Sequence, residues 1–179
     1  MSKAFKEIGF RKSMRFLTCE IALCVFKMII VPQVRAIFLR FLGADIGKDV
    51  IIFEAKFQNC YRKGFKGLHI GDNCFIGSDC LFDLADSITI GNNVTIASSV
   101  NIVTHLNVGY KDHPLQKFFP AMSKGVIIKD NVFLGFNSTV LAGVTIHERS
   151  FVAASALVCE DVASNTVVAG VPAKEIRKI

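Results

Sequence analysis

The chain has 179 residues, 51 % of them apolar, with a mean hydropathy of +0.45, 16 Phe and no Trp, which fits one domain with at most a small appendage. Six cysteines at 19, 24, 60, 74, 80 and 159 form no CxxC pair, so they read as free thiols of a reducing compartment, not a disulfide framework. The net charge of +6 lies entirely within residues 1–40, where eight bases (Lys3, Lys6, Arg11, Lys12, Arg15, Lys27, Arg35, Arg40) face two acids (Glu7, Glu20); the neutral remainder excludes a nucleic-acid surface.

The basic stretch belongs to a helical segment, 1–43. Residues 16–31, FLTCEIALCVFKMIIV, are almost all apolar, with Glu20 and Lys27 seven positions apart on one helical face. Pro32 breaks that helix. Val34, Ile37, Phe38, Phe41 and Leu42 then follow the i, i+3, i+4, i+7, i+8 pattern of an amphipathic helix closed by Gly43, with Arg35 and Arg40 elsewhere around the wheel. The first stretch is too short and too charged to span a bilayer, and it lacks the features of a signal peptide. A basic, apolar helical pair of this kind suits an anionic membrane surface. Capping the domain, or packing between subunits, are the alternative uses of the same pattern.

From Ile70 the chain keeps a six-residue period. Ile70, Ile76 and Phe82 are followed by Ile90, Ile96 and Ile102, and later by Ile128, Leu134, Val140, Ile146, Val152 and Val158. Four residues after most of these stands a small residue, among them Cys74, Cys80, Ser138, Ser150 and Ala156, and Ile46 and Ile52 begin a weaker copy. Ordinary strands repeat every two residues and helices every 3.6; neither gives six. A short flat strand plus a tight turn does, and three such units close one triangular coil. The period therefore predicts an all-β solenoid over residues 44–166, a parallel β-helix of hexapeptide repeats, with Cys74 and Cys80 packed inward.

The period breaks between Ile102 and Ile128. Those 26 residues exceed one whole coil, so a loop, 105–126, must bulge from the stack. His105 stands at its root, held by the rigid coil beneath, where a near-neutral imidazole can take a proton from an attacking hydroxyl. His113 is a second candidate within the loop. His69 and His147 fall at turns and read as surface residues.

The chain resembles the left-handed β-helix acyltransferases of the hexapeptide family from Gly43 to the C-terminus. Its nearest likeness is the maltose, galactoside and polysaccharide O-acetyltransferase branch. The ending Val168-Ala-Gly170-Val-Pro172-Ala-Lys174 is similar to that branch's close before a short C-terminal helix, here 167–179, and VFLGFNSTVLAGVTI and FVAASALV occupy its glycine-rich coils. The resemblance implies the left-handed sense, against the usual crossover rule. It implies acetyl-CoA as co-substrate, His105 as general base, and an oxyanion donor near Gly135-Phe136, with no metal. Phe133 and Ala154 would line the pantetheine arm, and Lys174 and Arg177 the nucleotide end. Asp83, Asp86 and Asn101 are acceptor-side candidates, since the period slips by two residues between Phe82 and Ile90. A homotrimer with its active site between subunits is expected.

Three other functions compete. His69 and His105 stand two full coils apart, the spacing of γ-type carbonic anhydrases, but Tyr110 occupies the place of the third zinc ligand. A non-catalytic scaffold would have no need of the His105 loop. An N-acetyltransferase of an amino sugar stays open, although such enzymes usually carry further domains. The membrane-suited helices favour a lipid-linked sugar or surface-polysaccharide precursor as acceptor, handled at the cytoplasmic face of the inner membrane, where acetyl-CoA resides.

Overall fold

A computed structural model of the chain describes residues 10–179, so Lys3, Lys6 and Glu7 of the basic segment lie outside the described residues. Two helices, α1 (Phe10–Met28) and α2 (Pro32–Phe41), precede a parallel β-solenoid of about five turns, consistent with the left-handed β-helix of hexapeptide-repeat proteins. Its three flat faces each begin with a short strand of the first coil: Asp45–Ile46, Ile51–Ile52 and Ala55–Gln58. The six-residue period becomes three columns of stacked side chains, one per face. Ile46, Ile70, Ile90, Ile128 and Ile146 form the first column. Ile52, Ile76, Ile96, Leu134, Val152 and Val168 form the second, and Phe57, Phe82, Ile102, Val140 and Val158 the third. All are buried, because each strand has only one face to hide and a fixed slot to hide it in.

Two corners of the triangle are regular. At one, Asp49, Asn73, Asn93, Asn131, Arg149 and Asn165 take the left-handed conformation; at the next, Asp79, Ser99, Asn137 and Ser155 do. Asn and Asp tolerate that region better than other side chains do. It aims each N–H at the coil below, as in Asn93 N to Asp72 O at 2.9 Å and Asn137 N to Ser98 O at 3.0 Å. The third corner is irregular and carries the segments around 59–67, 84–87 and 103–125. The slips in sequence period therefore all fall on one edge of the prism.

Helices α1 and α2 close the open end. Phe26 meets Phe57 edge-on at 5.5 Å, and Phe57 stacks on Phe82 at 5.5 Å. Ala36 and Leu39 of α2 are buried, and the helix ends in a Schellman motif: Ala44 N donates to Leu39 O, Gly43 N to Arg40 O, with Gly43 at φ +96°. Arg40 Nε donates to Ile46 O at 2.8 Å, and Arg35 Nε to Ile29 O at 2.7 Å, so both guanidiniums serve the fold. The apolar face expected for α2 is divided: Phe38 and Leu42 pack on the core, while Val34, Ile37 and Phe41 are exposed.

At the far end the expected C-terminal helix is instead a strand, Lys174–Lys178, antiparallel to Thr166–Ala169. A helix of so few residues has almost no stability of its own. The same segment laid along Thr166–Ala169 covers an otherwise open sheet edge. Cys74 and Cys80 fill inward slots as expected, and burial pushes the Cys80 thiol up to about 11, which leaves it unreactive.

Candidate active site

Three successive turns meet at the irregular corner, and each brings one polar residue to the same point. Asn59 follows the strand Ala55–Gln58, Asp83 ends Cys80–Asp83, and Thr104-His105 follow Asn101–Ile102. Asp83 is the hub. Its Oδ1 accepts from Asn59 Nδ2 at 2.7 Å and from Ala85 N at 3.2 Å; its Oδ2 accepts from Thr104 N at 2.8 Å and from His105 Nδ1 at 2.5 Å. The Thr104 hydroxyl donates to Asp83 O at 2.6 Å and accepts from Asp86 N at 3.0 Å, which locks the two coils together.

The Asp83 side chain is 2 % exposed and that of His105 is 27 % exposed. Burial pushes the Asp83 carboxyl up, but the bonds from His105, Asn59 and the Thr104 amide outweigh it and hold it below the usual carboxylate range. An ionised carboxylate on Nδ1 fixes that nitrogen as the protonated one. The lone pair then sits on Nε2, on the exposed side of the ring. An imidazole held from behind and 27 % exposed could accept a proton at Nε2. The loop beyond it starts as a two-stranded hairpin, His105–Leu106 with Met122–Ser123. It is pinned across by Gln116, whose Nε2 donates to Gly109 O and whose Oε1 accepts from Ala121 N.

Not every residue expected at this site faces it. Asp83 does not point outward toward an acceptor; both its oxygens are used inside the corner. Asp86 accepts from its neighbour Ser87 N and pairs with Lys63 Nζ at 3.3 Å. Asn101 is half-buried on the third face, its amide turned to Ser99 O. His113 caps a short 3-10 turn, its Nδ1 accepting from Leu115 N at 3.2 Å, and makes no contact with Asp83. His69 pairs with Asp45 and His147 with Glu148, both at the surface.

A second group gathers one corner away. Phe133 stacks on Phe151 of the next coil at 4.6 Å and 17°. Gly135 N is already committed to Val152 O at 2.8 Å, and a Cβ on Gly135 would lie 2.5 Å from Ala154 N, so this glycine serves the close approach of two coils. Phe136 is exposed, and its N–H bonds to no described residue, which makes it the available donor of the Gly135-Phe136 pair. Lys174 pairs weakly with Glu160 at 4.0 Å, and Arg177 Nη1 reaches Lys178 O; both side chains are solvated. Asn137 N bonds Ser98 O, so Phe136 lies above a residue seven before His105. Seven residues at about 3.3 Å each put the two groups roughly 20 Å apart in one chain, at opposite ends of its third face.

The repeats match the model of the hexapeptide repeat of succinyl-transferase over residues 67–102 and 125–158. A 2,3,4,5-tetrahydropyridine-2,6-dicarboxylate N-acetyltransferase of Enterococcus faecalis is 48 % identical over 60 residues, 34 % of this chain and 26 % of that protein. The chain thus spans about a quarter of the length of this curated relative. Solved structures match more fully. A hexapeptide-repeat acetyltransferase of Vibrio cholerae superposes with a TM-score of 0.81 at 25 % identity, over 95 % of this chain and 93 % of its own. Its complex with acetyl coenzyme A gives 0.78 at 26 %, over 99 % and 92 %. A maltose O-acetyltransferase of Clostridium difficile gives 0.76 at 26 %, over 94 % and 88 %. The chain thus carries the hexapeptide repeat, and its fold is similar to that of hexapeptide-repeat acetyltransferases.

Sequence reasoning missed Asn59 and gave Thr104 no role of its own, because each acts through a neighbour on another coil. The wiring of Asp83 has a pH signature. A carboxyl lowered by folding contributes stability that is full above its unfolded value and is lost as pH falls through the lower folded value. Thermal melting between pH 7 and pH 3 should show wild-type stability falling below about pH 4, near the ordinary Asp value of 3.8. Asp83→Asn should start less stable at pH 7 and lose less over that window; parallel curves would contradict this wiring.

Proposed function

We propose that the protein transfers the acetyl group of acetyl-CoA to a hydroxyl of a saccharide, with His105 as base. The observation that carries the reading is the Asp83–His105 pair at the root of the loop. The acceptor oxygen bonds to the thioester carbon as its proton passes to His105 Nε2. Asp83 stays ionised and steadies the imidazolium that results. The tetrahedral oxyanion takes a hydrogen bond from a fixed backbone N–H, for which that of Phe136 is the candidate. The C–S bond then breaks, and the departing thiolate takes the proton back from His105. Phe133 and Ala154 would flank the pantetheine arm, with Lys174 and Arg177 toward the nucleotide. The fold's likeness to a maltose O-acetyltransferase, with a TM-score of 0.76 over 94 % of the chain, exceeds its likeness to an N-acyltransferase, 0.58 over 78 %, which favours a hydroxyl acceptor.

A single chain cannot bring Phe136 to His105, since they end the same flat face. A second copy, its Phe136 corner against the His105 corner of the first, completes the site. Closed threefold symmetry satisfies that need at every interface, so the working form is a homotrimer.

A membrane location draws on the outer helical faces. Met14, Leu17, Ile21, Val25 and Met28 recur once per turn of α1, and Ile30 and Phe41 are 88 % and 83 % exposed. Among the described residues no helix is long and apolar enough to cross a membrane. The stripe, with Lys12, Arg15 and Lys27 on the same helix, suits burial in an anionic interface. The acceptor is then a lipid-linked saccharide or surface-polysaccharide precursor at the cytoplasmic face.

Two outcomes test the proposal. In a thiol-release assay with acetyl-CoA and an accepting saccharide, His105→Ala should lower kcat by about 10²–10⁴-fold, and Asp83→Asn by about 10²-fold, with the acetyl-CoA KM little changed. Wild-type turnover in either variant contradicts the assignment. In flotation assays the protein should rise with phosphatidylglycerol vesicles, and an Ile30→Asp/Phe41→Asp double variant should not; equal flotation of both removes the membrane reading.

A further inference from the structure

A cavity of about 630 Å³ opens between the start of α1, the turn after Asn59 and the loop that follows His105. It is lined by Lys12, Arg62 and Lys111, with Asn107, Tyr110 and Gln116 between them. The three cations come from three separate elements: the start of α1, the irregular turn after Asn59, and the loop. Their convergence is built, not incidental. Arg15 Nη1 donates to Arg62 O at 3.3 Å, and Phe16 packs edge-on against Tyr61 at 5.9 Å, so α1 is docked against the turn that carries Arg62. Gln116 ties Asn107 and Gly109 into one wall.

No carboxylate is among the described lining residues. Asp83 is buried against His105, Asp86 is held by Lys63, and Asp112 stands in the loop outside the lining. A concave site with three cationic residues, amide donors and no acid among its described lining residues attracts a doubly charged anion. The cavity is coupled to the base through both walls. Asn107 is two residues beyond His105, about 7 Å along an extended chain. Arg62 is three residues beyond Asn59, which bonds the same Asp83 that holds the imidazole. That span is the scale of one sugar phosphate.

We propose that this cavity binds a phosphoryl group of the acceptor, so that the substrate class is a phosphorylated saccharide and not a neutral sugar. Lys12, Arg62 and Lys111 hold the phosphoryl oxygens while a hydroxyl of the attached sugar reaches His105 Nε2. The inference rests on the acyl-transfer reading for its chemistry, but its binding part stands apart from it. The phosphoryl group belongs either to a soluble sugar phosphate or to the pyrophosphate of a lipid-linked sugar, two sources that present the same oxygens.

The test begins with inorganic pyrophosphate titrated calorimetrically into the full chain at saturating CoA, so that any nucleotide site is already filled. Wild type should bind it, and an Arg62→Gln/Lys111→Gln variant should bind at least tenfold more weakly, while Lys174→Gln binds as wild type does. A melting temperature unchanged in the double variant excludes misfolding; if it falls, Lys111→Gln alone, on the exposed loop, carries the comparison. Next, thiol release is compared for a methyl hexoside, a hexose 1-phosphate, and a polyprenyl-pyrophosphate hexose in vesicles. At least one phosphorylated acceptor should exceed the neutral sugar tenfold in kcat/KM, and the double variant should reduce that ratio toward one. Preference for the soluble or the vesicle-bound form identifies the source. Absent pyrophosphate binding, binding indifferent to the double variant, or a neutral sugar used equally well overturns the inference. Neutral-sugar turnover that depends on His105 would leave acyl transfer standing, whereas absent turnover with intact pyrophosphate binding would overturn acyl transfer alone.

Discussion

Every coil of this protein must lie one strand spacing, about 4.8 Å, above the last, with the same side chain in the same slot. That constraint fixes the buried columns, the left-handed residues at two corners and the glycine under Ala154. It also determines where function can be placed. At some positions of the regular corners even a Cβ would meet the backbone of the next coil, as at Gly135. Only the third corner, where the coils differ in length, can extrude a loop without breaking the stack.

The Asp83–His105 corner uses that freedom and limits it again. Asp83 is a buried carboxylate, costly unless compensated, and its bonds come from three consecutive coils. Removing any one donor leaves the others strained or unmatched, so the corner behaves as a unit. The same unit sets the imidazole tautomer and carries, through Asn59, the turn that presents Arg62. The helices are fastened to the first coil too, through Arg40 bonded to the Ile46 carbonyl, while Arg35 is bonded to Ile29 within the helical pair.

Much of this is written in the sequence because the repeat is local. Ile96, Leu134 and Val152 are legible as core from spacing alone, and His105 is legible as the residue on which spacing fails. Asp83 was visible as a slip in the period, but the slip says only that the chain leaves its coil, not which way the carboxylate turns. Asn59 and Arg62 lie more than forty residues from His105, and Lys12 and Arg62 fifty residues from each other; no periodic pattern relates them. Lys174–Lys178 misleads for the opposite reason. Its residues suit helix or strand equally, and the open edge of Thr166–Ala169 decides between them. The arginines of α2 likewise share one charge but not one use, and geometry alone separates them.

The central claim is that one active site draws its base from one copy and its oxyanion donor from another. Co-assembly tests it most directly. Phe136→Pro removes the N–H of residue 136 and keeps His105, whereas His105→Ala keeps the N–H and removes the base. Each variant alone should be inactive in thiol release. Mixed at equal amounts under conditions that allow subunit exchange, they should regain about a quarter of wild-type activity, the share of interfaces that pair an intact base with an intact donor. Mixed assemblies as inactive as their parents would place both groups in one chain and contradict the account.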